Sequence, residues 1–160
     1  LEAWGWVRPG PFVRFLVAAV FCVVELPWFR ALQVRNSFAW TLRLAFLFLL
    51  SGLALVALFP GYRVGLLHMT LAGGFGLITF TVGTRVVFGH SGHLESLKGP
   101  NWWFLVVVIC MSLGFLTRIS GDLWPATMQS HYTYGAILWT GGVVLWLLKI
   151  VPKLFVTDPE

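Results

Sequence analysis

The sequence alternates long apolar runs with short polar breaks, and these runs predict the architecture. Crossing about 30 Å of hydrocarbon takes a helix of roughly 20 predominantly apolar residues. Five runs meet or approach this requirement: Phe12–Phe29, Phe38–Phe59, Val64–Phe88, Trp102–Ile119 and Tyr132–Val151. Because lipid offers backbone groups no hydrogen bonds, each run is predicted to be a helix. The pattern therefore predicts an all-α bundle, a polytopic transmembrane protein with five spans and a single membrane domain over residues 1–160.

The composition excludes a water-soluble globular domain. Of the 160 residues, 58% are hydrophobic and 11% charged, and the mean hydropathy is +0.84. A soluble domain carries roughly 25% charged residues, which keep its surface hydrated. This chain has too few charges to cover such a surface, so its surroundings are predicted to be the lipid bilayer.

The net charge of +5 does not indicate a nucleic-acid partner, because the basic residues stand singly near the ends of apolar runs. Five crossings put the N-terminus on one face of the membrane, here called side A, and the C-terminus on the other, side B. The Lys and Arg residues assigned to side A are Arg8, Arg14, Arg63 and Arg118. Those assigned to side B are Arg30, Arg35, Arg43, Arg85, Lys98, Lys149 and Lys153. The positive-inside bias then predicts a periplasmic N-terminus and a cytoplasmic C-terminus.

Two histidines, His68 and His131, are expected at similar depth near side A, at the starts of the third and fifth spans. An imidazole inside a bilayer is costly, which makes each one a candidate for function. Small residues follow each histidine at helical spacing: Ala72 and Gly76 after His68, and Gly135 after His131. Clearance of this kind beside two imidazoles suits a haem b whose iron is bound on both faces by His68 and His131.

The same spacing has a second interpretation that needs no cofactor. Small residues on a helix face also let two helices pack closely against each other. His68 would then hydrogen-bond Tyr134 or a loop carbonyl. The sequence pattern does not separate haem binding from helix packing.

Other metal ligands are weaker candidates. His90 and His93 lie in a polar stretch on side B, but two ligands do not make a metal site. His90 is also about 33 Å from His68 along a helix that rises 1.5 Å per residue, too far to share one ligand. Copper in its reduced form favours soft ligands. Four such residues are candidates, but their spacing in the sequence does not indicate a shared site. They are Met69, Met111, Met128 and Cys110.

The stretch from His68 to His93 resembles the NnrS family. In that family a late transmembrane helix begins with His, has a glycine-rich middle and runs through Arg into a Gly-His-Thr-Gly-Arg turn. The matching residues here are His68, Gly73, Gly76, Arg85, Gly89, His90 and Gly92. Ser91 stands where the family has Thr, and His93 where it has Arg. The exit of the last span, residues 150–154, is similar to the family's closing helix, so the resemblance covers residues from about Phe59 to Val156.

The resemblance implies a bacterial cytoplasmic-membrane protein that contains haem, with copper as a second cofactor, and is linked to nitric oxide metabolism. Family members are much longer, so we expect this chain to be the C-terminal part of such a protein or a short relative acting as a subunit. Its expected neighbours are other membrane subunits or preceding helices, and its expected electron partner is a quinol or a cytochrome.

The sequence is compatible with two functions. The first is an NnrS-like haem b protein with an electron-transfer or nitric oxide-related role, a haem-binding subunit rather than a self-sufficient enzyme. The alternative is a cofactor-free structural subunit of a respiratory or other membrane complex. No catalytic residue is predicted.

Overall fold

A computed structural model describes residues 9–25 and 36–156, and these ranges are almost entirely helical. The helices are α1 (Pro9–Glu25), α2 (Ser37–Leu58), α3 (Arg63–His68), α4 (Leu77–His90), α5 (Trp102–Leu123) and α6 (Met128–Leu154). A π-helical segment, Met69–Gly76, joins α3 and α4 into one rod. Single 3-10 turns precede α3, α5 and α6. They are Pro60–Tyr62, Leu94–Leu97 and Pro125–Thr127. No strand occurs within the described ranges, which confirms the all-α prediction.

Four of the described helical stretches are long and apolar enough to cross a membrane. They are Ser37–Leu58, the rod Pro60–His90, Trp102–Leu123 and Pro125–Leu154. They overlap the last four predicted spans and extend beyond most of them. The first predicted span, Phe12–Phe29, overlaps α1, and the part beyond Glu25 lies outside the described residues. The structure thus supports four candidate spans, and the span predicted over Phe12–Phe29 stays a prediction.

Hydrogen bonds at side B tie the start of α2 to the loop before α5. The Asn36 side chain caps α2 by accepting a bond from the Phe38 amide at 3.0 Å. Its amide nitrogen also donates to the Leu97 carbonyl at 3.0 Å. The backbone amide of Asn101 donates to the Ser37 hydroxyl at 2.9 Å. These bonds satisfy polar groups at the helix ends, where they would otherwise be orphaned.

The core between the helices is richest in aromatic residues toward side B. Phe38 on α2 stacks on Phe104 of α5 with ring centroids 4.3 Å apart. Phe104 and Leu77 are fully buried in this cluster. Across the rod and α6, the Trp146 indole donates a hydrogen bond to the Thr84 hydroxyl at 2.8 Å. The indole N–H of this half-buried tryptophan therefore has the hydrogen-bond partner that it needs away from water.

The α5 and α6 helices pack so closely that their backbones touch through glycines. A Cβ atom placed on Gly135 would lie 2.8 Å from the carbonyl oxygen of Gly114. A Cβ on Gly114 would lie 2.9 Å from the backbone nitrogen of Trp139. Real side chains do not take such distances, so this approach requires glycine on both helices.

The π-helical segment packs against α2 in the same way. A Cβ on Gly74 would lie 2.9 Å from the Leu49 Cα atom, and one on Gly52 would lie 2.7 Å from the Thr70 nitrogen. Glycines on both helices thus permit backbone contact. A π-helix uses i→i+5 hydrogen bonds, is rare, and is frequent at functional sites. Here it begins at the residue after His68.

We predict that Gly135→Ala destabilises the folded protein. The new methyl group would overlap backbone atoms of α5, which cannot move aside as a flexible side chain can. The expected cost is about 1–3 kcal/mol, the usual range for overpacking. The measurement is the thermal unfolding midpoint in detergent. Gly141→Ala is the matched control on the same helix, because nothing lies within 4 Å of its added Cβ. An equal midpoint for the two variants would contradict the packing described here.

Candidate functional site: a cleft between three helices

A cleft of about 370 Å³ opens between α3, α5 and α6 in the half of the bundle nearer side A. Its lining includes His68, Ala72, Phe115, Arg118, Tyr132, Gly135 and Trp139. The volume falls in the lower part of the range of about 300–1,000 Å³ that is typical of small-molecule sites. Most of the wall is apolar, with a few polar groups that converge from all three helices.

His68 borders the cleft, and its ring is hydrogen-bonded to its own helix. Its Nδ1 lies 2.8 Å from the carbonyl oxygen of Val64, one turn earlier. A carbonyl only accepts hydrogen bonds, so Nδ1 of the neutral ring carries the proton and Nε2 keeps its lone pair. Metal-ligating histidines are oriented by this kind of bond from the second nitrogen. The partner is a helix carbonyl rather than Tyr134, whose side chain is 63% exposed.

His131 is held away from the cleft lining by the end of α5. Its Nδ1 lies 2.8 Å from the Ser120 hydroxyl, and its ring stacks on Trp124 at 6.5 Å between centroids. Because Ser120 donates its single proton to the Thr117 carbonyl, it accepts the bond from Nδ1 of His131. Of the two predicted axial histidines, His68 borders the cleft and His131 does not.

Two of the three predicted small residues border the cleft. Ala72 and Gly135 border the cleft together with His68. The space beside the glycines is taken by protein: a Cβ on Gly76 would lie 2.9 Å from Cη2 of Trp139, and Gly135 contacts Gly114. The two glycines therefore serve helix contact in this structure.

A polar network that the sequence analysis missed borders His68. Nη1 of Arg118 donates to Oδ1 of Asp122 at 2.7 Å, and the Tyr132 hydroxyl donates to the same oxygen. The Arg118 guanidinium also lies over the Tyr132 ring, 3.6 Å from the centroid. The Arg118 and Asp122 side chains are only 22% and 17% exposed, so the charge pair is largely covered.

Asp122 of α5 also lies against α3. A Cβ on Gly65 would lie 3.0 Å from the Asp122 carboxyl carbon, so a larger residue at this position would displace the Asp122 side chain. The available sequence signal was the i, i+4 spacing of Arg118 and Asp122 near the end of an apolar run. Arg118 had entered the sequence analysis only as a charge on side A.

The remaining predicted metal ligands are not gathered into a metal centre. His93 bonds the Ser91 carbonyl through Nδ1, and His90 borders a separate crevice on side B. Met69 accepts a bond from the Ser51 hydroxyl at 3.2 Å, and Met111 is fully buried in the core. Within residues 9–25 and 36–156, no group of three or more His, Cys, Asp or Glu side chains forms a metal site.

Comparison with known families covers nearly the whole chain. The sequence model of the family described as NnrS protein matches residues 1–157. The chain belongs to the NnrS family. This match includes α1 and α2, which precede the motif-based resemblance over residues 59–156. No curated protein and no solved structure matches the chain.

The Gly-His-Ser-Gly turn of this NnrS-family chain ends α4. The Gly92 backbone has φ of +70°, a left-handed conformation that favours glycine. The His93 amide donates to the Phe88 carbonyl at 2.9 Å, and the Ser91 amide to the Val87 carbonyl at 3.0 Å. These bonds satisfy carbonyls at the helix C-terminus, which gives the second glycine of the motif a structural role.

We predict that Tyr132→Phe lowers the thermal midpoint by about 2–4 °C. The variant keeps the ring beneath Arg118 but removes the hydroxyl that donates to Asp122. Tyr134→Phe is the control, since that exposed tyrosine lies on the same helix and loses an equal group. If both variants melt with the wild type, the network does not hold α5 and α6 together.

Proposed function

We propose that this NnrS-family chain is a haem b-binding component of a bacterial cytoplasmic membrane, with His68 as an axial ligand. The observation that carries the proposal is the hydrogen bond from His68 Nδ1 to the Val64 carbonyl. In the neutral ring this bond places the proton on Nδ1 and the lone pair on Nε2, and the residue borders a largely apolar cleft. Nε2 of a neutral imidazole is a common ligand of haem iron in proteins.

The other cleft residues suit a large apolar ligand with a polar edge. Phe115 and Trp139 supply apolar wall that excludes water. Arg118 lines the cleft, and its charge is offset by Asp122 outside the lining, so it adds hydrogen-bonding capacity without net charge. A bound haem would supply one-electron redox chemistry and, with one axial position open, a binding place for nitric oxide. The role of the chain's own residues is to hold, orient and shield that group.

We propose ligation by one histidine rather than two. For His131 to serve as the second axial ligand, its ring has to leave Ser120 and Trp124. Ligation by His68 alone leaves a position for nitric oxide, which favours a nitric oxide-related role over electron transfer alone. Copper remains a secondary proposal, carried by the resemblance and by no grouping of ligands in the described part of the chain.

The alternative function, a cofactor-free structural subunit, is favoured by a different observation. The space beside Gly76 and Gly135, which suggested room for a macrocycle, is occupied by Trp139 and Gly114 respectively. Their presence is explained by helix contact alone. The alternative predicts a folded protein with no haem, in which the histidines keep only their internal hydrogen bonds.

We further propose that other membrane subunits or preceding helices cover part of the bundle. The α1 helix carries large apolar side chains that are more than half exposed, including Val17, Val23 and Val24. These fit lipid or a neighbouring helix. Side B is proposed to be cytoplasmic on the basis of its larger number of Lys and Arg residues.

We predict that His68→Ala abolishes haem binding, because the variant lacks the proposed iron ligand. Wild-type protein purified in detergent is expected to carry close to one haem per chain in a pyridine-haemochrome assay. We expect the variant to retain less than about a tenth of this, since even the loss of a residue that orients a ligand lowers metal affinity by about 10–100-fold. Its thermal midpoint provides the check that the bundle still folds.

His131→Ala is the matched histidine control and is expected to keep both haem content and spin state. A change from low-spin to high-spin iron in His131→Ala would instead assign the two-histidine arrangement. Full haem content in His68→Ala would contradict the proposed ligand. Wild-type protein with no haem would favour the structural-subunit alternative.

A further inference from the structure

A second cavity lies on side B, at the opposite end of the bundle from the His68 cleft. It is a crevice of about 180 Å³ between the ends of α4 and α6. Its polar residues are His90, Ser91 and Lys153, and its apolar residues include Val86 and Leu154. We propose that this crevice binds the phosphate group of an anionic phospholipid, a property independent of haem binding.

Lys153 supplies the charge for this site. Its ammonium lies 5.9 Å from the centroid of the Phe88 ring on α4, so the side chain lies across the gap between the two helices. Among the described residues, no carboxylate comes within ion-pair distance of Lys153. Glu95, an acid on this side, is paired with Lys98 at 2.6 Å. A phosphate oxygen offers Lys153 a counter-charge close to the membrane surface.

The apolar wall distinguishes a lipid from a free anion. Val86 is 50% exposed, Leu154 is 57% exposed and Val156 is 43% exposed. These side chains stand beside a cation where two candidate spans end, at His90 and near Leu154. A phospholipid places its phosphate and the start of its acyl chains at this boundary. Basic pockets between helices on the cytoplasmic side are known to bind such headgroups.

A lysine near a helix C-terminus also interacts favourably with the helix dipole, without any phosphate. Lys149 separates this general effect from a site, because it lies one turn earlier on α6 and does not border the crevice. It is exposed and carries the same charge. Lys149→Gln and Lys153→Gln therefore change net charge equally at the same end of one helix.

The test is native mass spectrometry of the full chain, delipidated in detergent and titrated with phosphatidylglycerol or phosphatidylcholine of equal acyl length. We expect phosphatidylglycerol to bind about fivefold more tightly than phosphatidylcholine. Lys153→Gln is expected to remove that preference, and Lys149→Gln to retain it.

Three outcomes would overturn the proposal. Equal loss in the two lysine variants would show general attraction of charge rather than a site. Equal binding of both lipids by wild-type protein would show no recognition of an anionic headgroup. Displacement of phosphatidylglycerol by equimolar inorganic phosphate would assign the crevice to a free anion instead of a lipid.

Discussion

The contact between the backbones of Gly114 and Gly135 is the constraint on which the site depends. A Cβ atom added to Gly135 would lie only 2.8 Å from the Gly114 carbonyl oxygen, so α5 and α6 are fixed at a separation that only glycine permits. This approach brings Arg118 of α5 over the Tyr132 ring of α6. The cleft forms where α3 meets this pair, with His68 at its edge. Packing and candidate chemistry therefore share the same stretch of two helices.

The apolar runs predicted where helices form better than they predicted which side chains face each other. Four of the five predicted spans overlap described helices that are long and apolar enough to cross a bilayer. The faces depend on helix rotation, which the i, i+4 rule estimates only for a regular α-helix. The π-helical segment after His68 breaks that rule, so Gly76 meets Trp139 instead of continuing an open stripe. His131 was expected at the right end of α6, but its direction depended on Ser120, a tertiary contact.

The small residues had two explanations, haem binding and helix packing, and the contacts around them favour packing for the glycines. The glycines serve helix packing, and the bond from His68 Nδ1 to its own helix is compatible with both explanations. Its Nδ1 proton is engaged by the Val64 carbonyl, and its second nitrogen belongs to a ring that borders the cleft. The proposed haem function therefore rests on one imidazole and its surroundings rather than on a stripe of glycines. Membership of the NnrS family supports a membrane protein with this frame along nearly its whole length.

The most direct test of this account is electron paramagnetic resonance of the purified wild-type protein, oxidised and then reduced in the presence of nitric oxide. One axial imidazole predicts a high-spin ferric haem signal. After reduction of the haem, we expect added nitric oxide to bind and to give a new paramagnetic signal. A protein without a haem signal, or with low-spin haem that does not bind nitric oxide, would contradict it.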